Sequence, residues 1–190
     1  MQFSITIIII IITVVISFGA FNNPRIMDDL IFYPPAITKR NQWYRFLTSG
    51  FLHADYMHLF FNMLTLYFFG EVMEKFYEVY LGKLGFIIFY FGGIIVSEIP
   101  SYIKHRNNYH YRSLGASGGV SAVVFAYILF DPWQWFTFPP IPAILYAGLY
   151  IAYSIYMSKR GTDHINHDAH LWGALYGIGF TIIMEPRVVD

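Results

Sequence analysis

Apolar residues dominate the sequence in long stretches that are separated by shorter polar connections. Six stretches, some with their flanks, are apolar enough to form membrane-spanning helices: 3–21, 56–73, 84–102, 117–130, 139–157 and 168–184. Crossing the hydrocarbon core of a bilayer takes about 20 predominantly apolar helical residues. The pattern therefore predicts an all-α membrane protein, with residues 1–190 forming a single domain of six transmembrane helices.

Two features of this pattern indicate where function lies. The fourth stretch begins at Ser117 and is short for a span, so its first turn would start below the membrane surface. Backbone at that depth is tolerated only against protein or a water-filled cavity. The connection 22–55 is long, and such a connection usually has its own structure or function. The first stretch has no positively charged segment before it, so we expect a retained helix rather than a secretory signal.

Composition supports a membrane environment and excludes several kinds of chemistry. Hydrophobic residues make up 56% of the chain and charged residues only 13%, against about a quarter charged in soluble domains. The formal net charge is zero and no basic block occurs, so we expect no nucleic-acid partner. The chain has no cysteine, which excludes disulfides, thiolate metal ligands and thiol nucleophiles.

Histidines and an asparagine lie close to or within the second apolar stretch, where ionisable groups are functional candidates by default. His58 and Asn62 are four residues apart, which places both on one face of a helix. His53 lies five residues before His58, and we expect it in the preceding connection. The alternative is that His58 and Asn62 only form hydrogen bonds to neighbouring helices, which are common in membranes.

A small-residue segment, Gly115-Ala116-Ser117-Gly118-Gly119, stands at the start of the fourth stretch. Glycines beside a serine allow close backbone approach, and a helix N-terminus offers free N–H groups to a developing negative charge. By itself the G-x-S-G pattern is weak. Small residues in membrane helices more often form packing faces, and Gly118, Ala122 and Ala126 form such a row.

His170 opens the sixth stretch, with Gly173 and Gly177 three and seven residues later on the same helical face. These glycines would let the small face of the fourth helix come close, which would bring the His170 ring towards Ser117. A serine needs a nearby base to become a useful nucleophile. Asp168 points away from this face, so a Ser117–His170 dyad is the simpler hypothesis.

A metal site is the competing interpretation of the histidines near the sixth stretch. The residues concerned are His164, His167, Asp168 and His170. No H-E-x-x-H motif occurs, and the spacing matches no strong ligand template. We therefore expect no metal and no cofactor, with His164 and His167 solvated in a loop.

Several motifs, in chain order, resemble the pattern of the rhomboid family. They run from about Trp43 to Gly177, through five of the six predicted helices. The matching segments are Trp43-Tyr44-Arg45, Phe51-Leu52-His53 with His58 and Asn62, Gly70 with Glu74, Leu81-Gly82, Gly115-Ala116-Ser117-Gly118, and Ala169-His170-Leu171-Trp172-Gly173 with Gly177. No single motif is decisive, but their ordered combination in a six-helix chain is very specific.

The resemblance implies a six-helix rhomboid-type bundle that acts as an intramembrane serine endopeptidase on transmembrane protein substrates. It implies Ser117 as nucleophile, His170 as general base, and an oxyanion hole formed by His58, Asn62 and the backbone N–H of Ser117. The first connection would frame the site, while the fifth helix and the loop before His170 would act as gate and cap. Residues in structural support would be Arg45, His53, Glu74, Gly115, Gly118, Gly173 and Gly177.

Orientation in the membrane is the point on which charge and resemblance disagree. Nine Lys and Arg residues lie in the odd-numbered connections and three on the other side, which would place the first connection in the cytoplasm. The resemblance places it outside. We follow the family, because a folded loop with paired arginines reports poorly on flanking charge, and expect a bacterial inner-membrane protein with an extracytoplasmic site.

One position departs from the family pattern. Rhomboids commonly carry an aromatic residue four positions after the serine, where it stacks on the histidine, whereas this chain has Ser121. The support for the ring must then come from elsewhere, or the dyad is looser. Two other functions stay open: a non-catalytic rhomboid-like protein that binds membrane clients and, with little support, a small transporter.

Overall fold

The computed structural model describes residues 4–137, 139–160 and 166–189, without the side chains of residues 160 and 189. The described residues form helices and no strand. The described residues include nine α-helices: α1 Ile5–Asn22, α2 Pro24–Leu30, α3 Pro34–Arg40, α4 Arg45–Thr48, α5 Tyr56–Leu81, α6 Gly85–His105, α7 Ser117–Phe130, α8 Ala143–Arg160 and α9 His167–Met184. Two short 3₁₀ turns span Ser49–Phe51 and Pro186–Val189.

The short helix α7 lies at the centre of the bundle. Ten of its 14 residues are buried, and it packs most extensively against α9 and also against α5 and α6. Large apolar side chains of α1 and α5 point outward instead, among them Ile11, Val15, Phe61 and Phe68. An apolar exterior around a core of small residues is the arrangement expected of helices packed within lipid.

The N-terminal end of α1 is attached to α5 by one carboxylate. Glu74 accepts hydrogen bonds from the hydroxyl groups of Ser4 and Thr6 and from the backbone N–H groups of Ile5 and Thr6, at 2.7–2.8 Å. The first N–H groups of a helix have no carbonyl partner within the helix. Glu74 therefore satisfies two of the orphan donors of α1 and joins the two helices at this point.

The long first connection is ordered by a buried arginine. Arg45 donates from Nη1 to the carbonyl oxygens of Asp28 and Ile31, at 2.8 and 2.7 Å, and from Nε to Gln42 Oε1 at 2.7 Å. Its side chain therefore ties α4 to the end of α2. Beside it, Phe32, Ile37 and Phe46 form a small hydrophobic core of their own.

Three predicted segment boundaries are corrected by the structure. Helix α5 continues past residue 73 to Leu81, because the helix carries on through charged residues that a hydropathy pattern rejects. Helix α6 likewise extends to His105. Helix α8 begins at Ala143 rather than at residue 139, so Pro139, Pro140 and Pro142 precede the helix. Pro142 forms an isolated β-bridge with Trp135.

Length and hydropathy alone identify few membrane spans. Among the described residues, Ile5–Asn22 and Gly85–His105 are long and apolar enough to cross a bilayer, while Ser117–Phe130 is apolar but short. The remaining long helices carry more polar and charged side chains. Several of those side chains are turned into the bundle, among them Asn62 of α5 and His167 of α9.

Candidate active site

The side chains of Ser117 and His170 meet at the start of α7. His170 Nε2 lies 2.8 Å from Ser117 Oγ, within hydrogen-bond distance. Ser117 is the first residue of α7, and His170 is in the first turn of α9. The structure therefore brings together the two residues that the sequence singles out as nucleophile and base, in the geometry that proton transfer from serine to imidazole needs.

Two glycines of α9 make this encounter possible. A methyl group added at Gly173 would lie 2.2 Å from the carbonyl oxygen of Gly118, and one at Gly177 would lie 2.2 Å from that of Ala122. Neither contact leaves space for a side chain. The backbones of α7 and α9 therefore touch directly along the small-residue faces, which is the packing predicted from their spacing.

The loop before Ser117 is held by a hydrogen-bonded chain that begins at His53. The N–H of Ala116 donates to His53 Nε2 at 3.4 Å, so the proton of this neutral ring belongs on Nδ1, which lies 3.0 Å from Ser17 Oγ. Ser17 in turn donates to the carbonyl of Phe51 at 2.8 Å. Burial, and secondarily the nearby His58, lowers the pKa of His53 to about 3, so this chain carries no charge.

His58 and Asn62 present donors to the same space. The N–H of Ala54 donates to His58 Nδ1 at 3.4 Å, which leaves the ring proton on Nε2. A methyl group at Gly115 would lie 3.1 Å from His58 Nε2 and 3.6 Å from Ser117 Oγ, so both groups border the volume that this glycine leaves empty. Asn62 Nδ2 donates to the carbonyl of His58 at 2.9 Å and has a second N–H to offer.

Gly115 itself adopts a backbone conformation that favours glycine. Its φ angle is 130°, in a region that residues with a side chain rarely adopt. Its N–H donates to the carbonyl of Ser49 at 3.0 Å, which fixes the turn that leads into α7. A glycine is therefore required at this position for two reasons: the conformation of the turn and the space beside Ser117.

These groups line a cavity of about 670 Å³. The polar and aromatic side chains around it include Ser117, His170, His58, Asn62, Ser121 and Tyr150. Ser117 and His170 are each half-buried. The cavity thus combines a hydrogen-bonded Ser–His pair with several N–H donors in a mostly apolar lining.

Comparison with known proteins gives this arrangement a family. The chain matches the family model described as Rhomboid domain over residues 40–187, which is most of its length. The chain belongs to the rhomboid family. Membership makes it a multi-pass membrane protein.

Individual relatives are similar at about 30% identity. Rhomboid-like protein 11, chloroplastic, and RHOMBOID-like protein 12, mitochondrial, both of Arabidopsis thaliana, are each 30% identical over 72% of this chain, covering 50% and 45% of their own lengths. "Putative rhomboid protease YdcA" of Bacillus subtilis (strain 168) is 31% identical over 46% of this chain and 41% of its own. This rhomboid therefore spans at most about half the length of these relatives.

In this rhomboid, a buried polar cluster joins the segments that precede Ser117 and His170. Glu98 of α6 accepts from Ser113 Oγ at 2.6 Å and from Asn166 Nδ2 at 3.2 Å. Asn166 Oδ1 caps α9 by accepting from the N–H of Ala169 at 3.1 Å. The loop before Ser117 and the start of the His170 helix are therefore tied to one carboxylate. Glu98 is not among the residues predicted from the sequence, although a charge inside an apolar helix is itself a signal.

Among the residues that the structure describes, no group of three potential metal ligands is found. Asp168 lies away from the Ser–His pair: it accepts from Ser158 of α8 and pairs with Lys104 at 3.3 Å. His167 is buried at the start of α9 rather than in a solvated loop, and the centroids of the His167 and His170 rings are 5.9 Å apart. His164 lies outside the described residues.

Proposed function

We propose that this rhomboid is an intramembrane serine endopeptidase that cleaves transmembrane segments of other membrane proteins. The observation that carries the proposal is the 2.8 Å hydrogen bond between Ser117 Oγ and His170 Nε2 at the edge of the cavity. A base within hydrogen-bond reach is what turns a serine hydroxyl into a useful nucleophile. The word protease in the name of the Bacillus subtilis relative agrees with this reaction.

In the proposed mechanism, His170 Nε2 removes the Ser117 proton as Oγ attacks the carbonyl carbon of the scissile peptide bond. A tetrahedral intermediate forms, with negative charge on the former carbonyl oxygen. The resulting imidazolium of His170 then protonates the leaving amine, and the C–N bond breaks to give an acyl-enzyme. Water, deprotonated by His170, attacks the ester and releases the acid product together with free Ser117.

The oxyanion would lie in the space beside Gly115. His58 Nε2–H borders this space, the second N–H of Asn62 can reach the cavity, and the backbone N–H of Ser117 stands at the helix N-terminus. Preorganised donors aimed at a developing charge are commonly the largest single contribution to catalysis. Loss of the Asn62 donor in Asn62→Ala is therefore expected to lower turnover roughly a hundred- to a thousand-fold.

The proposed setting is a bilayer crossed by six helices, α1, α5, α6, α7, α8 and α9. Because α7 has only 14 residues and begins at Ser117, the site would lie below one membrane surface, reached by substrates between α5 and α8. No cofactor or metal takes part. We propose a bacterial inner membrane with the site open to the extracytoplasmic side, although relatives named for chloroplasts and mitochondria show that the family occupies several membranes.

The first test is labelling of the purified protein with a fluorophosphonate probe, which reacts with activated serines. We expect labelling of wild type and none of Ser117→Ala or His170→Ala. Ser154→Ala is the matched control, because its buried hydroxyl has no hydrogen-bond partner among the described residues. It should be labelled at the wild-type rate, and EDTA should have no effect.

The second test is cleavage of a transmembrane substrate in liposomes, with product masses used to locate the cut. Cleavage by Ser117→Ala at the wild-type rate would disprove the mechanism. Folded wild-type protein that neither labels nor cleaves would instead favour the non-catalytic function, in which the cavity binds membrane clients without hydrolysis.

A further inference from the structure

The aromatic ring that the sequence lacks on α7 is present on α8. Tyr150 belongs to α8, and its hydroxyl lies 2.7 Å from Ser121 Oγ on α7. Ser121 is one helical turn after Ser117, on the same face of α7. The hydroxyl group at position 121 therefore occupies the place where a larger side chain would lie, and it binds the end of a ring that enters from the neighbouring helix.

The Tyr150 ring lies over the ring of His170. The two ring centroids are 6.1 Å apart and the ring planes are inclined by only 22°, an offset stacked arrangement. Phe125 and Tyr146 contact the Tyr150 ring at centroid distances of 5.4 and 5.9 Å. The ring is thus held by two aromatic neighbours and by the hydrogen bond to Ser121, so it can hold His170 in turn.

We propose that Tyr150 is a positioning residue for the general base: its ring, fixed by Ser121, keeps the His170 imidazole turned towards Ser117. This inference rests on the proposed function and adds a residue to that site. Stacking restricts rotation of the imidazole about its side-chain bonds, which raises the fraction of molecules with Nε2 at 2.8 Å from Ser117 Oγ. The energy of an aromatic pair corresponds to an effect of about two- to tenfold on that fraction.

The location of the ring on α8 has a consequence for substrate access. Helix α8 borders the proposed access route, and it also carries the side chain that holds the base. Movement of α8 away from α7 would therefore withdraw Tyr150 from His170. Tyr150 supports the base only while α8 is close to the bundle, so this support and closure of the cavity occur together.

The experiment compares three variants by fluorophosphonate labelling rate and by substrate cleavage. Tyr150→Phe keeps the ring and should stay within about threefold of wild type, whereas Tyr150→Ser removes it and should be about tenfold slower. The transposed double variant Ser121→Tyr with Tyr150→Ser conserves the side-chain volume and returns a ring to the cavity from α7. It should recover to within about threefold of wild type. Tyr67→Ser, an exposed tyrosine on α5, is the control for losing a membrane tyrosine.

Kinetics separate a positioning role from a binding role. A residue that acts through His170 changes kcat and leaves KM unchanged. A rise in KM at constant kcat for Tyr150→Ser would overturn the proposal, because the ring would then contact substrate. Equal losses in Tyr150→Phe and Tyr150→Ser would also overturn it, since the hydroxyl rather than the ring would matter.

A measurement that needs no activity distinguishes failure of this inference from failure of the proposed function. In a double-mutant cycle on the unfolding temperature, Tyr150→Ser and His170→Ala should be non-additive by about 2 °C, because they remove the same contact. Non-additivity without labelling of wild type would refute the protease and retain the contact. Labelling of wild type with additive shifts and an unimpaired Tyr150→Ser would refute the role of Tyr150 alone.

Discussion

Two walls of the cavity, the first formed by α7 and α9 and the second by α8, are built by different means. On one side, α7 and α9 touch through their backbones, and Gly173 and Gly177 leave no room for even a methyl group. On the other side, α8 is attached by side chains, such as Tyr150 to Ser121, and a methyl group at its Gly148 would meet nothing within 4 Å. Backbone packing fixes the two helices that carry the reacting pair, while the side-chain contacts of α8 can be released when a substrate segment enters.

The largest expected effect comes from separating the backbones of the first wall. Gly173→Ala places a methyl group 2.2 Å from the carbonyl oxygen of Gly118, a contact that only displacement of a helix can relieve. We expect a loss of about 3 kcal/mol in the free energy of unfolding, at the upper end for overpacked cores. Fluorophosphonate labelling should fall to background, because His170 moves away from Ser117.

Two glycines in open surroundings provide the controls for this change. Gly148 on α8 and Gly179 on α9 have no heavy atom within 4 Å of an added methyl group. Alanine at either position should be neutral or stabilise the protein by up to about 1 kcal/mol, because alanine is the better helix former. If Gly173→Ala behaved as these controls do, α7 and α9 would not be in direct backbone contact at this position.

The difference between the walls also explains what the sequence could predict. Residues His170, Gly173 and Gly177 share one helical face, and Ser117 lies among glycines, so local spacing alone indicates the α7–α9 contact. Tyr150 is one of 16 tyrosines, and only the approach of α8 to α9 gives it a role. The end of α5 was misplaced for a related reason: Glu74 is charged, yet it accepts the N–H groups of α1, a partner that no local pattern reveals.

An effect of intermediate size on the free energy of unfolding is expected at low pH, through His53, which accepts from Ala116 just before α7. His53 is fully buried and neutral, with its pKa lowered to about 3 by burial and by His58. In the unfolded chain, His53 takes up a proton below about pH 6.5, whereas in the folded protein it does so only at about pH 3. Stability from this group is therefore complete above this range and is lost as the pH falls through it, by about 2 kcal/mol at pH 5.

The unfolding free energy of wild type and His53→Gln, measured between pH 7.5 and 5, tests this expectation. Glutamine can still accept from the N–H of Ala116 but does not titrate, so the variant should have a flatter pH dependence. His110→Gln, at an exposed histidine in the α6–α7 connection, is the matched control and should keep the wild-type slope. Parallel curves for wild type and His53→Gln would mean that the folded protein does not lower the pKa of His53.

The smallest effect on stability, and the most direct test of the second wall, comes from Ser158. This residue, near the C-terminal end of α8, donates to Asp168 at the start of α9. Ser158→Ala removes one side-chain hydrogen bond, so the free energy of unfolding should fall by no more than about 1 kcal/mol.

Outward movement of α8 becomes easier in Ser158→Ala, and cleavage of a transmembrane substrate should rise about two- to threefold, since this hydrogen bond is worth less than about 1 kcal/mol. Labelling by the small fluorophosphonate, which needs no such movement, should stay at the wild-type rate. Ser154→Ala on the same helix should change neither. An equal rise in labelling and cleavage would place the effect of Ser158 on the reacting pair itself rather than on the entry of substrate.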